Sequence, residues 1–134
     1  YSIGARLIFE CMLVLADRAE QLQAEGTEAS ERQAKAVMGL VENTVLLGAA
    51  VSRDSALWRR VRTVVAGRLI NGYSETDWTL RYLFRFQSFE MRVAGIAKVS
   101  NAGVENADLS SIIHGHREYP IKMRSVLRHL KLES

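Results

Sequence analysis

Three histidines (His114, His116 and His129), one cysteine (Cys11) and a row of arginines are the side chains whose types and spacing could do chemistry in these 134 residues. Hydrolysis through a covalent intermediate needs a Ser or Cys beside a His base that an acid orients. The histidines stand far along the chain from Cys11, and no serine reads as a nucleophile elbow. The glycines of "GLVENTVLLG" enclose an interior that reads as helix, which is not the loop that cradles a phosphate. His114 and His116, separated by one glycine, could chelate on a loop, but zinc sites usually take four ligands and only His129 is near. The expectation is therefore a protein that is not an enzyme, with no metal and no cofactor.

The arginines point elsewhere. Of 18 cationic residues 14 are Arg, whose planar fork matches phosphate and carboxylate. The formal charge is only +3, but residues 1–52 hold four basic and seven acidic residues, against fourteen and eight in the remainder. Arg81, Arg85 and Arg92 recur at steps of four and seven beside a stripe of Trp78, Tyr82, Phe86, Phe89, Val93 and Ile96. Three guanidinium groups cannot be buried without partners, so they face water, acids or a polyanion. A positive track flanked by aromatic rings suits strand phosphates and stacked bases.

The elements that must position these residues read as helices. One proline, nine glycines and no regular series of turn clusters argue against a sandwich or barrel. Ile3, Leu7, Cys11, Val14 and Leu22 predict a first helix that ends at Gly26, with Cys11 a buried, reduced thiol. Thr27 is the expected N-cap of a second helix, whose stripe is Val37, Met38, Val41, Val45 and Leu46. A third helix opens near Ser52 and Asp54 and turns Leu57, Trp58, Val61, Val64, Val65 and Leu69 inward. "NGYSETDW" is a break with Ser74 and Asp77 spaced as a capping box, and a fourth helix is expected from there to about residue 99. The predicted fold is all-α, a single compact bundle of about five or six helices over 1–134, with 103–134 a C-terminal closure. The apolar run "LIFECMLVLA" is too short to cross a bilayer.

In "GVENADLSSIIHGHREYPIKMRSVLRHLKL" a turn glycine and apolar neighbour (Gly103, Val104) precede Leu109, Ser110 and Ile112. Gly115, a basic turn with Arg117 and Pro120, and a last apolar row of Val126, Leu127 and Leu130 follow. Residues 103–132 thus resemble a lambda-repressor-like helix-turn-helix. The resemblance implies that Asn106, Ser111 and His114 face a DNA groove, with His116, Arg117 and Lys122 near the backbone. The leading expectation is a nucleic-acid-binding helical protein, DNA or RNA, using these residues with Arg81, Arg85 and Arg92. The alternatives are a self-assembling viral coat or nucleocapsid protein and a helical protein–protein adaptor. A homo-oligomer, no membrane partner, and a cytoplasmic, nuclear or nucleoid location (a virion for the coat protein) accompany these readings.

Overall fold

Adjacent buried residues, rather than residues three or four apart, decide the architecture. Leu46 and its neighbour Leu47 are both buried, as are Leu69 and Ile70, yet the two members of each pair enter different apolar clusters. Consecutive side chains that point to opposite sides and are covered on both belong to a strand inside a two-faced sheet. The structure is a computed structural model that describes residues 1–83 and 93–132. Its strands β1 (Thr44–Leu47), β2 (Leu69–Tyr73) and β3 (Glu105–Asp108) form a parallel sheet in the order β1-β2-β3. Val45 pairs with Ile70, and Ile70 with Glu105. The fold is mixed α/β, so the all-α bundle is corrected.

Helices cover both faces. On one side α1 (Ser2–Glu25) and α3 (Ser55–Val64) bring Phe9, Met12, Ala16, Trp58 and Val61 onto Leu46 and Leu69. The Phe9 and Trp58 rings lie 4.9 Å apart, and the Trp58 indole N–H donates to the Ser52 carbonyl at 2.8 Å. On the other side α5 (Glu118–Ile121) and α6 (Met123–His129) bring Tyr119, Val126 and Leu130 onto Leu47, Ile70 and Leu109. Parallel strands need long crossovers, and α3 supplies the one between β1 and β2. The connection from β2 to β3 holds α4 (Trp78–Leu83) and a short 3-10 turn at Ala94–Ile96.

Local signals account for the helix ends. Gly26 closes α1 in the left-handed region at φ 67°. Thr27 caps α2 (Glu28–Val37) reciprocally with Ser30, each side chain accepting from the other's backbone N–H at 3.1 Å. Asp54 caps α3 by accepting from the Ala56 N–H at 2.8 Å. Cys11 is exposed on α1, contrary to the expected buried thiol. α2 ends at Val37, so Val45 and Leu46 belong to β1 and not to its stripe.

Candidate active site

Parallel strands run their carboxyl ends to one rim of the sheet, where the following loops gather. The loop after β2 carries Asp77 and the loop after β3 carries His116, 39 positions later. The Asp77 carboxylate, fully buried, lies with Oδ2 2.6 Å from His116 Nδ1. Its Oδ1 accepts from the Leu80 N–H at 3.1 Å, which fixes the carboxylate in place. The opposite ring nitrogen, His116 Nε2, lies 2.6 Å from Ser2 Oγ, 114 positions away in the chain. A carboxylate only accepts, so Nδ1 carries the proton and Nε2 accepts from the Ser2 hydroxyl. Serine, imidazole and buried acid thus form a continuous relay from three distant segments.

Ser2 is the first residue of α1 and has φ 58°, a left-handed conformation for a residue that is not glycine. It stands in "YSIG", which matches the last four positions of the G-x-S-x-G pattern. The first backbone N–H groups of an α-helix have no partner within the helix, and Ser2 and Ile3 are the first two residues of α1.

The two loops are locked together. Ser74, fully buried, donates from Oγ to the Ile113 carbonyl at 2.6 Å, and the Thr76 hydroxyl donates to the same carbonyl at 2.8 Å. The Glu75 N–H donates to Ser110 Oγ at 3.0 Å. The Ser110 hydroxyl and N–H in turn hold the Asp108 carboxyl below the usual range. Rings flank the imidazole: Tyr1 at 5.5 Å and Tyr119 edge-on at 6.0 Å. Burial, with the nearby Asp77 charge, pushes the Tyr119 phenol well up, so it stays protonated. Tyr119 fits because Gly48, at φ 52°, has no side chain; a Cβ there would come within 2.8 Å of its ring.

The expected contact residues separate on this frame. Asn106 lies on β3, where its side chain accepts from the Val99 N–H at 2.8 Å, donates to the Val99 carbonyl at 2.9 Å, and meets Asn71 Nδ2 at 3.2 Å. It is an internal clamp and not a groove contact. Ser111 and His114 are exposed in the turn after β3, and Arg117 is exposed beside His116. Lys122 is occupied, donating to the Ile112 carbonyl and pairing with Glu118, both at 2.7 Å. Arg81 is exposed on the six-residue α4, whereas Arg85 and Arg92 lie outside the described residues. Only His116 enters the relay. The short helix expected over roughly 107–114 is absent: Glu105–Asp108 pair with β2 as strand β3, and residues 109–114 are turn and bend. Ser2 is not singled out by the residue pattern and Asp77 is read there only as a capping residue; the signal for them is "YSIG" ahead of an apolar helix, with an acid and then a His further on.

A family model described as "Protein of unknown function (DUF726)" matches residues 29–133. The chain belongs to the DUF726 family. Among curated relatives, this DUF726 chain is 38% identical over 95% of its length to an uncharacterized membrane protein of Caenorhabditis elegans. It is 37% identical over its whole length to the transmembrane and coiled-coil domain-containing protein STS1 of Oryza sativa. It is also 33% identical over 97% of its length to the probable lipase MIL1 of Saccharomyces cerevisiae. It spans 18%, 18% and 11% of those proteins' own lengths. No solved structure matches it. This membership corrects the repressor resemblance and the nucleic-acid-binding and coat-protein readings. The relatives' names also correct the expectation of an intracellular protein with no membrane partner and nucleic acid as its ligand. No helix among the described residues is long and apolar enough to cross a membrane.

Proposed function

We propose that this DUF726 chain carries the nucleophile, base and acid of a serine hydrolase acting on carboxylic esters. The observation that carries the reading is the relay from Ser2 Oγ through the His116 ring to buried Asp77, with both contacts at 2.6 Å. Three supports accompany it. The residues follow the chain order Ser, Asp, His found in α/β-hydrolase folds. They gather at the carboxyl rim of a parallel sheet. A family relative bears the name probable lipase.

The chemistry follows from the geometry. His116 Nε2 takes the Ser2 hydroxyl proton as Oγ bonds to the substrate carbonyl carbon. Asp77 holds the ring in the tautomer that can accept and stabilises the imidazolium that results. The carbonyl oxygen becomes an oxyanion that accepts from the Ile3 N–H at the positive end of α1. Collapse breaks the ester C–O bond, and His116 returns its proton to the departing alcohol. Water, deprotonated by the same nitrogen, then cleaves the acyl-Ser2 ester and releases the acid.

The test uses the full-length protein that contains this chain, treated with a fluorophosphonate and assayed on a soluble short-chain ester. The expected adduct maps to Ser2, and Ser2→Ala lowers kcat by about 10³-fold or more. Labelling elsewhere, or turnover unchanged in Ser2→Ala, sinks the reading.

A further inference from the structure

The exposed side chains nearest the relay are not a random sample of a surface. Trp78 directly follows Asp77 and is 77% exposed; Arg117 directly follows His116 and is also exposed. Consecutive Cα atoms lie about 3.8 Å apart, so both side chains spring from the edge of the site. Arg81 stands three residues after Trp78 on α4, hence on the same helix face. Ile121 ends α5, four residues after Arg117, and is 82% exposed. Neither Trp78 nor Ile121 joins an apolar core cluster of the fold. Of the acids nearby, Glu118 is engaged by Lys122, and Glu75 is exposed on the loop before Asp77. Two exposed apolar side chains and two exposed guanidinium groups therefore lie on the chain segments that carry Asp77 and His116.

We infer that the rim formed by Trp78, Arg81, Arg117 and Ile121 seats the site on an anionic phospholipid bilayer. The arrangement matches the gradient of that surface. An indole settles where acyl chains meet headgroups, an aliphatic side chain enters the acyl layer, and a guanidinium binds headgroup phosphate. The charges on the rim complement a negative leaflet, which attracts each nearby cation. Docking in this way brings the Ser2–His116 contact to the lipid surface. It deepens the hydrolase reading and rests on it for that last step, but docking itself needs no catalysis.

The experiment compares the full-length protein with its Trp78→Phe variant on vesicles of phosphatidylglycerol and phosphatidylcholine doped with nitroxide-labelled lipid. The difference in emission between the two proteins isolates Trp78. Quenching of that component by the labelled lipid is expected, with Arg81→Glu and Arg117→Glu together weakening vesicle binding about tenfold or more. Unquenched Trp78 emission overturns the inference, because another part of the protein or a protein partner then covers the rim. Equal affinity for pure phosphatidylcholine overturns the choice of an anionic surface. Turnover of the soluble ester by the same preparations, with Ser2→Ala as control, reports the hydrolase reading separately.

Discussion

At the scale of residues, the relay depends on which nitrogen of His116 holds a proton. Asp77 decides this by accepting from Nδ1 while its other oxygen is held by the Leu80 N–H. Asp77→Asn keeps the shape and the second contact, but an amide can donate to Nδ1, which favours the tautomer unable to accept from Ser2. The expected outcome is a loss of about 10⁴-fold in kcat on a soluble ester with KM nearly unchanged. A fall in KM-dependent binding alone would point to a structural role for Asp77. His116 shows how far a residue can be read from sequence. Its place in a conspicuous "HGH" turn marks it as chemically interesting, but its partners are 39 and 114 positions away. No local pattern connects residues at such separations; only the packing of the sheet does.

At the scale of elements, signals within one turn of helix were legible and signals between strands were not. Gly26 and Thr27 mark the boundary between α1 and α2 because capping chemistry is local. Val61, Val65 and Leu69, by contrast, fall at steps of four that continue across the end of α3 into β2, so helical spacing persists where the helix has stopped. The same accident joins Val37 and Val41 to Val45. The strands themselves are tied at one end by Arg68, just before β2, whose guanidinium bonds both oxygens of Glu105 at 2.6 and 3.0 Å. It also donates to the Leu130 carbonyl at the end of α6 at 3.0 Å. This Arg68 contact holds the Glu105 carboxyl below its ordinary range. A lowered carboxyl contributes stability above its ordinary titration range and loses it as pH falls through the folded value. Arg68→Gln should therefore reduce stability near neutral pH and flatten its decline into acid, measured as urea midpoints across that range. The effect is small and fades in high salt, because both side chains are partly exposed. An unchanged acid limb would show that the pair contributes nothing.

At the scale of the whole molecule, the site exists only when both faces of the sheet are packed. Ser2 is carried by α1, which belongs to the Trp58 side, while His116 leads into α5 and Tyr119 on the other. Between them, Gly95 donates to the Ala49 carbonyl at 2.9 Å so closely that a side chain there would strike the Gly48 backbone. The two-sided burial that makes this possible was the least legible feature, since adjacent apolar residues such as Leu46 and Leu47 fit a buried helix as well as a strand. The left-handed backbone at Ser2 has a consequence that a calorimeter can see without any substrate. A residue with a Cβ in that conformation costs the cooperative unit about 1–2 kcal/mol, partly offset in a glycine variant by its larger unfolded-state entropy. Ser2→Gly should accordingly be more stable than Ser2→Ala by roughly 0.5–1 kcal/mol and melt at a higher temperature, although both lack the hydroxyl. Equal melting would mean that the turn is relaxed. A higher melting point for the glycine form would mean that this fold gives up thermal resilience at the one position where a hydroxyl has to stand.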